Sequence, residues 1–178
     1  MLMLKITDVK AAMKKLLSES ETVFDAFLLS EAVIKMGVTF SIDGHINSEF
    51  YSQDELESLR AESESHGWEY DDTLTRWVNV KSHVFSIIKG HKTPQNFSIV
   101  FYLSRENCRK FYSGLSLPDG FMLPSGLMLH LKYDGSSLFA VTGTAYPGFN
   151  PDKTVDKAWD SMVKRFLDSH SIAFDELA

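Results

Sequence analysis

The class this sequence predicts is α+β: a mainly antiparallel sheet built from hairpins, with helices packed on one face. Three observations carry it. Two stretches, 27–42 and 127–144, pair apolar, strand-forming runs across short turns. Three segments, 7–18, 80–89 and 154–169, space their apolar residues at helical period. Strands also fall in pairs and do not alternate regularly with helices, which argues against a parallel sheet. Two smaller sheets packed through the helices fit the same pattern.

The 178 residues suit one domain spanning 1–178. A chain of this size buries roughly 70% of its unfolded surface on folding. Thirteen Phe, six Tyr and three Trp supply a core that needs no covalent staple. The lone Cys108 excludes an internal disulfide, and a cytoplasmic protein is expected. The apolar start, Met1 to Leu4, is too short for a signal peptide, and no stretch approaches the ~20 apolar residues of a membrane span.

Along the chain, Val9, Ala12, Met13, Leu16 and Leu17 form one helical stripe, with Thr7 or Asp8 as N-cap. Phe27–Lys35 and Val38–Ile42 read as a hairpin around Met36-Gly37, Gly37 supplying the positive φ of a tight turn. Asp43-Gly44 closes that unit as a second turn. Residues 52–66 read as an exposed helix whose apolar stripe is only Leu56 and Leu59. Val80, Val84, Ile87 and Ile88 mark the next helix, ended by Gly90 and Pro94. Phe97–Leu103 is a strand, and Ser104 caps a short helix through Phe111. After a Pro/Gly-bearing loop at 114–126, strands 127–133 and 138–144 flank the Asp134–Ser137 turn. Val155, Trp159, Met162, Val163 and Phe166 stripe the last helix, capped by Asp152 or Thr154.

Several strings together resemble a family of small bacterial proteins catalogued as a domain of unknown function. They are Leu4-Lys5-Ile6-Thr7-Asp8-Val9-Lys10, Phe27-Leu28-Leu29-Ser30-Glu31-Ala32 and Ile42-Asp43-Gly44-His45-Ile46-Asn47. Ile87-Ile88-Lys89-Gly90-His91-Lys92-Thr93-Pro94, Thr142-Gly143-Thr144 and Ala158-Trp159-Asp160 complete the set. The resemblance runs nearly end to end and implies a whole-chain domain. It brings no activity and no site residues.

Charge is unevenly distributed. Residues 43–72 hold ten acidic residues and one basic, a net of −9; residues 73–118 hold seven basic and one acidic, a net of +6. Either the two segments neutralise each other in the fold, or they form separate docking surfaces. Within the basic segment, Lys89, His91, Lys92, Arg105 and Arg109 are the candidate anion donors. The Lys89–Thr93 string lacks the Gly-rich spacing of a phosphate loop, and it follows a helix C-terminus, whose dipole favours cations.

Other chemistry is sparse. Asp43, His45, Asn47 and Glu49 alternate after a turn but match no metal signature, so no metal and no cofactor are expected. Ser116 lacks the final Gly of a nucleophile elbow, and Cys108 has no partner base, although Arg105 and Arg109 stand near enough in sequence to lower its pKa. Glu31, in a strand of the first hairpin, reads equally as a buried acid or as a residue on an exposed strand face. No catalytic pair is identifiable. A pI near 5.5 disfavours nucleic acid.

Two functions follow as expectations. The first is a non-enzymatic binding or protein-interaction module, self-association included, with a charge-segregated surface. The alternative is an enzyme or sensor acting on a small anionic metabolite through the five donors above. A structural subunit of a larger assembly would instead present a large exposed apolar patch.

Overall fold

Four residues at the start of the chain, Met3–Ile6, form a strand (β1) that the sequence reading passed over as an apolar run. Leu4 and Ile6 point inward and Met3 and Lys5 outward, but so short an alternation carries little periodic signal. The computed structural model describes residues 1–90 and 92–177. Helix α1 (Val9–Leu17) follows, with the Asp8 carboxylate accepting the Ala11 amide at 2.9 Å. Strands β2 (Leu28–Lys35) and β3 (Thr39–Asp43) form the first hairpin. Helix α2 (Gln53–Ser65) begins with a full capping box, Ser52 and Glu55 each satisfying the other's amide.

Helix α3 (Lys81–Ile88), strand β4 (Asn96–Tyr102) and helix α4 (Arg105–Ser113) come next. The second hairpin is β5 (Gly126–Tyr133) with β6 (Leu138–Ala145). Helix α5 (Thr154–Ser169) follows Lys153 at its N-cap position, whose side chain caps nothing; Asp152, one residue earlier, accepts the Thr154 amide at 2.7 Å. Strand β7 (Phe174–Glu176) ends the described chain.

All seven strands join one antiparallel sheet in the order β3-β2-β4-β5-β6-β1-β7, so the arrangement as two sheets is excluded. Pairing register assigns its faces. Leu29, Ile34, Phe97, Ile99, Phe101 and Leu129 share one face and are buried beneath helices. Helices α1, α3 and α5 cover this side. Trp77 is fully buried against Phe101 and donates its indole N–H to the Leu16 carbonyl at 2.8 Å. Trp159 likewise donates to the Met128 carbonyl at 2.9 Å, tying α5 to β5. Two of the strings that carry the family resemblance meet at this junction, where Thr142 donates to Asp160 and Thr144 to Asp156.

Two local expectations change. Gly37 does not adopt a positive φ, because the β2–β3 connection is a three-residue loop in which the Met36 amide reaches the Val38 carbonyl. The left-handed glycine of a hairpin is Gly135, at φ 96°, in the β5–β6 turn that Asp134 organises. Ser104 precedes α4 but its hydroxyl caps nothing, and it is the one buried side-chain polar atom without a partner among the described residues. No described helix is long and apolar enough to cross a membrane.

Candidate functional site

The acidic and basic segments touch. A short ladder pairs His45 with Leu74, and the Ile46 amide donates to the Thr73 carbonyl at 2.9 Å. Above it, Arg105 lies 3.4 Å from Asp71 and 3.0 Å from Asp72, and Arg109 bonds Glu69. Arg76, nearly fully buried, donates to the Ala26 carbonyl (2.8 Å), the Glu69 carbonyl (2.6 Å) and the Glu106 carboxylate (2.9 Å), and stacks on Trp68. Three of the seven cations of the basic segment are thus spent on holding the acidic excursion 47–72 to the body. Burial pushes the Asp71 carboxyl up. The Thr73 hydroxyl and the Leu74 and Thr73 amides outweigh it, and with Arg105 they hold it below the usual carboxylate range.

The four anion-donor candidates among the described residues do not converge. Lys89 caps the C-terminus of α3 and Lys92 lies in the loop beyond, while His91 lies outside the described residues. Arg105 and Arg109 sit on α4, past the far end of β4. A seven-residue strand puts roughly 20 Å between the two groups. The arginines are also already engaged by carboxylates. Asp43 and His45 bond each other, carboxylate to Nδ1 at 2.6 Å, and among the described residues no His, Cys, Asp and Glu side chains gather as a metal site.

Cys108 is the reverse of an activated thiol. Burial pushes it up to about 11, the neighbouring Glu106 adds to the rise, and Arg109 offsets only part of it. At pH 8 about one thiol in a thousand is ionised. Iodoacetamide should therefore label the folded chain at least about a hundredfold more slowly than the urea-unfolded chain. Equal rates would contradict this burial.

Two concave surfaces stand out. A cavity of about 560 Å³ lies under α2, with a mixed lining in which His45, His66, His83, Tyr51, Trp68 and Arg76 stand among aliphatic residues such as Leu59 and Leu74. Its fixed groups are largely occupied by one another: His66 stacks on Trp68 at 4.8 Å, and Arg76 is fully engaged. The second is a groove of about 670 Å³ between α1 and α3, floored by Phe97 and Tyr133. Val9, Met13, Leu17, Phe85 and Ile88 line its walls, and Lys14 and Lys89 stand at its rim. Neither lysine makes an ion pair among the described residues, whereas Glu19 is the only acid in the lining. Phe85 remains 44% exposed, an open aromatic ring at the groove mouth, with the Lys89 ammonium 6.0 Å from its centre. Of the four predicted donors among the described residues, Lys89 alone lines either surface.

The groove was hidden in the sequence. Its walls come from residues 9–19, 85–94, 97 and 133, and each apolar residue there also satisfies an ordinary core stripe. Only the partial exposure of Phe85 distinguishes it, and exposure is not a sequence property.

A profile of a family of unknown function, DUF5721, matches residues 15–175. The chain belongs to this family. The match covers every element except β1 and the first turns of α1, together with the end of β7. No curated protein and no solved structure matches the chain.

Proposed function

We propose that this DUF5721 domain is a non-enzymatic binding module that takes a small apolar ligand with an anionic head group in the α1–α3 groove. The groove itself carries this reading: a concavity within the 300–1,000 Å³ range of small-ligand sites, apolar along its walls, with two unpaired ammonium groups where a carboxylate would emerge. Aliphatic wall residues supply affinity in proportion to the area they cover, and the lysines select the charge of the head group. Ser18 and Glu19 line the groove, but Ser18 pairs with Ser20 and not with Glu19, so among the described residues no nucleophile is coupled to a base there and the reading is one of binding. It keeps Lys89 as an anion donor from the original set and replaces the remaining four by Lys14. A bacterial cytoplasmic setting suits a chain whose single thiol is half-buried and unpaired.

The charge-segregated surface contributes less to this reading than the sequence suggested, since Arg76, Arg105 and Arg109 are held by the acidic segment. What survives for a protein partner is the outer face of α2, where Asp54, Glu57 and Glu64 point to solvent.

Calorimetric titration of the full chain with dodecanoate should give saturable one-site binding. Dodecanol should bind more weakly. Reversing both rim charges, Lys14→Glu with Lys89→Glu, should weaken dodecanoate at least about tenfold while leaving dodecanol nearly unchanged. Absence of saturable binding, or an affinity indifferent to the double reversal, would refute the assignment.

A further inference from the structure

Helix α2 folds over the body without packing into it. None of its 13 residues is buried. Leu59, Glu62 and Ser63, with His66 at the C-cap, follow the i, i+3, i+4, i+7 spacing of one helical face, and that face roofs the cavity of about 560 Å³. The roof is fixed from beyond its C-terminal end, where Arg105 meets Asp71 and Asp72 and Arg109 meets Glu69. Its position therefore does not depend on burial of side chains from α2. A cavity of this size falls within the range of small-ligand sites.

We propose that this cavity is a second binding site, for a small organic cation: a protonated or quaternary amine carried on an apolar body. Its rings point that way. Tyr51, Trp68 and Tyr70 all line it. The chain sets its own cations on two of them, the Arg76 guanidinium 4.9 Å from the Trp68 ring centre and the Arg60 guanidinium 5.6 Å from that of Tyr70. Aromatic faces attract cations through their quadrupole, more strongly where water is excluded. Tyr51 alone of the three carries no cation among the described residues; its ring meets Phe50 at a right angle.

Charge points the same way. The charged lining comprises three acids, Asp43, Glu62 and Asp71, against one base, Arg76. Asp43 is bonded to His45, Asp71 to Thr73 and Arg105, and Arg76 to Glu106. Glu62 differs. Only its main-chain carbonyl is engaged among the described residues, by Ser65 and His66. Its carboxylate is the lining charge left for a ligand. Asp54, Glu57 and Glu64 on the same helix add to the negative potential around it.

The body of the ligand is specified by the walls. Ile46, Leu59, Leu74 and Val78 offer aliphatic surface, which rewards burial of apolar area. An anion would meet this field unfavourably, and a neutral ligand would leave Glu62 unanswered. The two concavities of the domain thus select opposite charges, the α1–α3 groove through lysines and this cavity through a glutamate and a tyrosine.

Calorimetric titration of the full chain with benzyltrimethylammonium at pH 8 should give saturable one-site binding, with a dissociation constant below about 1 mM. 2-Phenylethanol keeps the ring and lacks the charge, so it should bind at least about tenfold more weakly. Glu62→Lys alters an exposed residue that the fold does not use. It should weaken the cation at least about tenfold and leave the alcohol nearly unchanged. Tyr51→Leu keeps apolar bulk but removes the ring face, and should weaken the cation about threefold or more. Location is read in the wild type by methyl resonances: those of Leu59 should shift on titration, and those of Ile88, in the α1–α3 groove, should not. Absence of saturable binding overturns the proposal. So does equal affinity for the alcohol, or indifference to either substitution. Shifts confined to Ile88 overturn it too, because the cation would then occupy the groove. Dodecanoate titration reads that groove separately, so either assignment can fail without the other.

Discussion

Arg76→Met should lower the unfolding free energy by about 3–5 kcal/mol, the cost of breaking a buried, hydrogen-bonded ion pair from one side. Arg76 is 5% exposed and serves three acceptors at once, the Ala26 and Glu69 carbonyls and the Glu106 carboxylate. Methionine fills a similar volume, so the loss is mainly electrostatic. Glu106, only 14% exposed, keeps its charge without a partner, and two carbonyls lose their donor. In a domain of this size each kcal/mol moves the melting temperature by about 2–4 °C, so a fall of roughly 10 °C is expected. Adding Glu106→Gln should recover part of it, because the stranded charge is then gone. A single variant that melts within a degree of wild type would mean that Arg76 is not the anchor its geometry describes.

The same arginine shows where the sequence was legible and where it was not. Helices α1 and α5 were readable within a residue or two because their stripes and caps are local: Asp8 and Asp152 stand beside the amides they serve. Both hairpins were readable for the same reason. Strands β1 and β7 were not. Each is four residues or fewer, and β1 exists because Met3–Ile6 finds β6 some 130 residues away and then templates β7. A strand stabilised mostly by its partners leaves almost no periodic trace of its own.

Charge behaved likewise. The counts in 43–72 and 73–118 were plain, but whether Arg105 faces Asp72 or solvent depends on how the excursion 47–72 folds back. The candidate anion donors failed to gather for a simple geometric reason. They flank β4, and an extended strand is an efficient way to separate its two ends.

Gly44→Ala should cost at least about 3 kcal/mol, more than its place in a turn would suggest. A Cβ built on Gly44 would lie 1.8 Å from the Leu29 carbonyl oxygen and 2.6 Å from its carbon, both main-chain atoms that cannot swing aside. Left-handed backbone is not the reason, since Gly44 has no positive φ; the requirement is close approach. Its amide donates to the Ser30 carbonyl and its own carbonyl accepts from the Thr75 amide, each at 2.8 Å. Both bonds sit beside the point where the β2–β4 register shifts, between Leu29 and Glu31.

Methyl substitution must therefore push β3 off β2 or release residue 75, and either movement loosens the base of the 47–72 excursion. Arg76 follows Thr75 directly, so its ion pair with Glu106 should weaken in the same variant. Gly37→Ala is the matched control. Nothing lies within 4 Å of its added Cβ and its φ is not left-handed, so stability should hold or rise by up to about 1 kcal/mol. Urea denaturation of the two alanine variants separates close packing from turn flexibility. A Gly44→Ala chain as stable as Gly37→Ala would show that the β2 backbone yields where its contacts say it cannot.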